Sequence, residues 1–189
     1  MRARLRSVLP LALCALVLGG CVPGGDAAIA AKPDVDGCAG SQLRPEAENV
    51  AAVRAATLCL LNAQRARAGA RPLTENPMLR LAAERHSLDM ATRKFFEHRN
   101  PDGREPAGRI LRTGYPPLLV GENLGWGEVG KSTPAAIVKL WMESPGHKAN
   151  LLQPGYTEIG IGLAYEAPEP QPVPLQAAIY TTTFGAGGR

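Results

Sequence analysis

Three short segments carry the residues whose types could do chemistry. Residues 139–150 read Lys-Leu-Trp-Met-Glu-Ser-Pro-Gly-His-Lys-Ala-Asn: a helical stretch with Trp141 and Glu143 is broken by Ser144-Pro145-Gly146, and His147 falls in the next turn. Residues 95–103 hold His98 beside Asn100-Pro101-Asp102-Gly103, and residues 121–127 hold Glu122 beside Asn123. The chain has only 3 histidines, so two of them in such settings is a concentrated signal. Neutral imidazole and carboxylate are ordinary zinc ligands, and three protein ligands leave a fourth position open to water. Without a metal, two histidines near a glutamate form a network whose charge changes near neutral pH. The long separations between His98, Glu122 and His147 are unlike zinc fingers or H-E-x-x-H helices, and decide neither way.

Bland readings apply nearby. His86 shares an apolar helical face with Leu79, Ala83 and Met90, and reads as a hydrogen-bonded core histidine rather than a ligand. Trp126 and Trp141 read as core. Arg109 reads as a solvated ion pair more readily than as a partner for an acid near a cleft. Asn123 and Asn150 follow the site residues closely and are expected to orient loops by side-chain to backbone hydrogen bonds.

The amino terminus bears on the compartment. Arg2, Arg4 and Arg6 precede an apolar run over 8–18, broken only by Pro10, which is too short for a membrane span and suits a secretory signal over 1–20. Leu18-Gly19-Gly20-Cys21 resembles the lipobox of bacterial lipoproteins, which implies cleavage before Cys21 and lipidation of that cysteine; a plain signal peptide cleaved nearby is the alternative. By the same resemblance, Val22 implies the outer membrane of the cell envelope where one exists. Acyl chains anchor by burying methylenes at about 0.8 kcal/mol each, so the membrane partner is reached through lipid. Of the 4 cysteines, Cys14 leaves with the signal and Cys21 is spoken for. Cys38 and Cys59 then most simply form one disulfide in an oxidising compartment, with two buried free thiols as the alternative.

Without residues 1–20, which carry three arginines and no acids, 18 basic residues face 17 acidic ones. That balance leaves no electrostatic footprint for nucleic acid. Residues 21–47 read as a flexible Pro/Gly/Ala-rich tether ending in a disulfide-bonded arm, and 48–189 as one domain. Helices are expected over 49–68, from Asn76-Pro77 to about Lys94, over 104–113, and from Thr133-Pro134 to about Glu143. Strands are expected over 158–165 and 176–184, with a third around 120–126. On 158–165, Ile159, Ile161, Leu163 and Tyr165 alternate with Gly160, Gly162 and Ala164, a bare face that lets another element approach closely. Helices first and strands last imply an α+β domain in which helices cover an antiparallel sheet.

These pieces, in order, resemble the bacterial branch of the CAP superfamily, the cysteine-rich secretory, antigen-five and pathogenesis-related proteins. They are Asn62-Ala63-Gln64-Arg65, residues 82–90, Phe96-Glu97-His98 with Pro101-Asp102-Gly103, Gly114-Tyr115, Gly121-Glu122-Asn123, residues 141–147 with Asn150, residues 158–162, and Thr183-Phe184-Gly185. The resemblance implies a three-layer α-β-α sandwich with a large cavity lined by two histidines and two acids, which in some members coordinate a divalent cation. Carried over by position, His98, Glu122 and His147 are the expected ligands of one divalent cation, zinc or calcium. The family's second acid falls on Ser144; Glu143 stands one residue off, about 100° round a helix, and is a further cavity candidate. The expected function is a binding module for a lipid, a cell-wall (peptidoglycan) glycan or a protein. The alternative is a peptide or ester hydrolase in which a metal-bound water, or Ser144 near His147, attacks.

Overall fold

Asn76 caps helix α2 (Pro77–Arg93): its side-chain oxygen accepts from the amides of Met78 and Leu79, while Pro77 fills the first helical position, where no amide is needed. Thr133 does the same for α4 (Pro134–Glu143), accepting from Ala136. Helix α1 (Val50–Arg67) stops before Gly69, which lies at φ 71°, a conformation open to glycine. The short α3 (Pro106–Leu111) is narrower than the 104–113 expected. Ser144 both closes α4 and opens α5 (Pro145–Leu151), so His147 stands within a helix rather than in a plain turn.

The structure is a computed structural model, and it describes residues 34–128, 130–170 and 176–187. The expected signal segment, the lipidated Cys21 and residues 22–33 lie outside them. Four strands form one sheet in the order β1 (Thr74–Glu75), β3 (Glu158–Ala164), β4 (Ala177–Gly187), β2 (Pro117–Glu128). The three long strands pair antiparallel, as expected. The two-residue β1 runs parallel to β3, so the sheet is mixed; a strand that short shows no period in sequence.

The alternation on β3 sorts the layers. Ile159 and Ile161, with Tyr180 and Phe184 of β4, bury against Val53, Leu60 and Leu61 of α1, Ile137 and Trp141 of α4, and Leu151 of α5. The opposite face is bare at Gly160 and Gly162, and α2 lies there. A Cβ at either position would collide with the α2 backbone, at Arg80 or Ala83. Ser87 of α2 donates to Thr181 Oγ1 at 2.8 Å, and Thr183 Oγ1 donates to the Leu79 carbonyl at 2.8 Å. Ile110 of α3 packs beside Leu79 and Ala82. The result is the three-layer α-β-α sandwich. A Cys38–Cys59 disulfide ties the arm to α1. Ser41 is fully buried and its carbonyl accepts from the Ala135 amide at the start of α4. The arm is thus fastened to the helices at Cys38 and Ser41.

Candidate functional site

The site is built on β2, the edge strand. Alternation turns Glu122 toward the α2–α3 layer and Asn123 toward α5, so two successive residues serve opposite layers. Side chains cap the outward carbonyls of this edge: Asn150 Nδ2 donates to Glu122 O at 2.9 Å and Trp141 Nε1 to Leu124 O at 2.8 Å. Asn150 also donates to Asn123 Oδ1 at 3.0 Å and accepts from Tyr156 Oη at 2.9 Å, while Asn123 Nδ2 donates to the His147 carbonyl at 3.0 Å. Asn123 and Asn150 therefore do orient the chain through side-chain to backbone bonds, fastening α5 to the sheet. A Cβ at Gly121 would collide with the Tyr156 hydroxyl and the Asn150 side chain, so this corner requires glycine. From the far end, the fully buried Arg65 donates to the carbonyls of Arg71, Leu151, Gln153 and Tyr156 at 2.7, 2.8, 3.0 and 3.1 Å. A guanidinium that closes the carbonyl end of α5 holds the helix carrying His147 in place.

Glu122 is the hub. Its side chain is 1% exposed; Oε2 accepts from Arg109 Nη2 at 2.7 Å and Oε1 from His98 Nδ1 at 2.8 Å. Arg109 Nη1 also donates to the carbonyls of His98 at 2.7 Å and Arg104 at 2.9 Å, pinning the loop that bears His98. His86 Nε2 lies 4.0 Å from Glu122 Oε1 but 3.0 Å from the Glu97 carbonyl, to which it donates. His86 is thus a core histidine, as expected, and burial pushes its pKa down. The hydrogen bond that His98 donates to Glu122 pushes the His98 pKa up, against the opposing effect of partial burial. Burial, helped by the nearby His98, pushes His147 down. Since the nitrogen facing a carboxylate carries the hydrogen, neutral His98 keeps its Nε2 lone pair free. Nδ1 of His147 is buried with no hydrogen-bond partner among the described residues.

His98, Glu122 and His147 come together around one open pocket of about 510 Å³, shared with Asn123, Ser144 and Asn150. Glu143 does not join them. It is exposed and lies 3.7 Å from Lys139 one helical turn away, because residue 143 falls round α4 from the pocket while Ser144, at the break, faces it. Arg109 is also unlike its expectation: its side chain is only 9% exposed and its partner is Glu122. Nothing in the local pattern around Arg109 marks this, since the pairing depends on where α3 packs. Arg65 had a legible signal, standing four residues after Leu61 on the buried stripe of α1.

Whether these residues suit a cation follows from their donors. Both oxygens of Glu122 are committed, and among the described residues no group of three His, Cys, Asp or Glu is arranged to hold a metal ion. The three-ligand set His98, His147 and Glu122 is therefore not assembled as such; Glu122 orients His98 instead of presenting an oxygen. Calcium, which needs six or more oxygens, fits poorly. The two imidazoles suit a nitrogen-preferring ion such as zinc only if a ligand or waters complete its shell.

A family model described as CAP, the cysteine-rich secretory protein family, matches residues 58–176. The chain is 36% identical over 103 residues to the uncharacterized protein YkwD of Bacillus subtilis, covering 54% of this chain and 39% of that protein. Among solved structures it is similar to an extracellular SCP-domain protein of Bacillus anthracis, with TM-score 0.59 and 24% identity over 75% of this chain and 44% of that one. It also resembles an outer surface protein of Borrelia burgdorferi, with TM-score 0.57 and 19% identity over 69% of this chain and 90% of that one. At these identities the two structures bear on the fold alone. The chain spans 39% of the length of YkwD and 44% of that of the Bacillus anthracis protein.

Proposed function

Because the chain belongs to the CAP, or cysteine-rich secretory protein, family, we propose that it is an exported cell-envelope protein, tethered by a lipid on Cys21, that binds a polar ligand of the cell wall in the pocket between His98 and His147. The observation that carries this reading is the pocket's lining. Asn123, Asn150, Ser144 and Gln153 surround the two imidazoles, and no large apolar side chain lines it. Convergent amide, hydroxyl and imidazole groups suit the hydroxyls and amides of a glycan or its attached peptide better than an acyl chain. Zinc, where bound, would sit on His98 and His147 and supply a Lewis-acidic contact to a ligand oxygen. The extracellular description of the Bacillus anthracis relative supports export.

Calorimetric titration with soluble peptidoglycan fragments tests the reading. Binding should be lost in His98→Ala/His147→Ala while the fold, read by circular dichroism, is kept. Equal binding by the variant would overturn it. The mass of the mature amino terminus tests the tether, with an acylated Cys21 expected.

Hydrolysis is the second reading, favoured by geometry: His98 and His147 face one open pocket, and the Glu122 contact on one and burial of the other push their pKa values apart, as in an acid–base pair. Against a serine route, no hydrogen bond joins the Ser144 hydroxyl to His147 among the described residues, although both line the pocket. Turnover of the same fragments, abolished by the double substitution, would favour this reading over simple binding.

A further inference from the structure

A second cavity, of about 410 Å³, opens between α2 and α3, and arginine dominates its walls. One wall is a single face of α2, with Arg85, Leu88, Asp89 and Thr92 at helical spacing; the other comprises Arg104, Arg109 and Arg112. Two of the pocket's five arginines are neutralised. Arg93 pairs with Asp102 at 2.8 Å and Asp89 at 3.4 Å, and Arg109 with Glu122 at 2.7 Å. Arg85, Arg104 and Arg112 have no carboxylate within ion-pair distance among the described residues, and no side-chain hydrogen bond. His86 lines the same pocket but is held toward its neutral form by burial, so it adds no charge there. Nε of Arg109 is buried and lacks an acceptor among the described residues. Five arginines thus face three carboxylates, Asp89, Asp102 and Glu122, which leaves the pocket a surplus of two positive charges (5 − 3), with Leu88, 61% exposed, beside it as apolar surface.

We propose that this cleft is a second binding site, for a phosphate group carried on a small carbon skeleton. Guanidinium forks match tetrahedral oxyanions bidentately. A phosphate monoester offers nearly two negative charges and three acceptor oxygens, whereas a carboxylate offers one charge and two oxygens, too few for three unpaired arginines. The volume suits a phosphate with a glycerol- or sugar-sized body, and Leu88 gives that body an apolar contact. The phosphate monoester comes from a soluble metabolite or from a phosphatidic acid headgroup. The site meets the histidine pocket through Arg109, which binds Glu122 and the His98 carbonyl, and through His86, 4.0 Å from Glu122. Arg85, Arg104 and Arg112 do not line the histidine pocket, so the proposal stands whether or not that pocket binds wall fragments.

The test is calorimetry on the full chain with three probes: glycerol 3-phosphate, its carboxylate counterpart glycerate, and water-soluble dihexanoyl phosphatidic acid, whose headgroup is a phosphate monoester. The phosphate probes should bind, glycerate at least about tenfold more weakly, and raising salt from about 0.05 to 0.5 M should weaken binding. Arg85→Gln/Arg112→Gln, two exposed positions whose loss leaves no buried group unpaired, should weaken phosphate binding by about tenfold or more. The His98→Ala/His147→Ala variant should bind phosphate as the unsubstituted chain does. Tighter binding of the lipid probe assigns the phosphate to a headgroup; tighter or equal binding of glycerol 3-phosphate assigns it to a soluble ester. The proposal is overturned by three results: no phosphate binding, glycerate binding as tightly, or loss of binding in the histidine variant but not in the arginine variant.

Discussion

Replacing Arg109 by Met probes the electrostatics that hold the site together. Arg109 and Glu122 stand 2.7 Å apart with side chains 9% and 1% exposed, and removing one partner of a buried pair typically costs about 3–5 kcal/mol. A ceiling comes from proton uptake, because a stranded carboxylate can neutralise itself. For an ordinary glutamate that costs about 3.7 kcal/mol at pH 7 and about 1 kcal/mol at pH 5. The carbonyls of His98 and Arg104 that also lose Arg109 lie on an exposed loop and can turn to water, adding little. Arg109→Met should therefore lose about 3–4 kcal/mol at pH 7, and clearly less at pH 5. Arg109→Met/Glu122→Met, which strands no charge, should recover most of that loss. Urea unfolding followed by tryptophan fluorescence at both pH values, disulfide intact, measures all three. The reasoning fails if the single variant loses under about 1 kcal/mol at pH 7, if its deficit does not shrink at pH 5, or if the double variant is no more stable than the single.

The 3 histidines make NMR titration direct. His98 should titrate above the ordinary value of about 6.5, and His147 and His86 below it. By linkage, the stability His98 contributes is fully present below about pH 6.5 and is lost as pH rises through its raised folded value. For His147 and His86, stability falls as pH drops below about 6.5 and the unfolded chain takes up protons first. A His98 value below that of His147 would contradict the Glu122 contact. The Cys38–Cys59 bridge joins residues 21 apart, so Cys38→Ala/Cys59→Ala should cost about 3 kcal/mol on the loop-entropy estimate and lower Tm; an unchanged Tm would refute that value.

Helix starts and the bare face of β3 were legible because each rests on local chemistry, and the disulfide because only two cysteines were left to pair. Asn76-Pro77 and Thr133-Pro134 cap their own next turns, and Gly160 and Gly162 declare a close approach whatever crosses there. The motif order identified the family, and with it His98, Glu122 and His147. What each of the three does was not legible. Glu122 is an orienting group because α3 delivers Arg109 to one of its oxygens and the 95–104 loop delivers His98 to the other. Glu143 drops out because a one-residue offset on α4 turns it to solvent, while Ser144 takes the pocket wall. Sequence alone therefore determined which side chains are available and where the main helices and strands lie, since caps, periods and small residues act over a few positions. Only the tertiary structure decided which charges meet, because a buried carboxylate is defined by its partners, and those arrive from helices and loops distant in the chain.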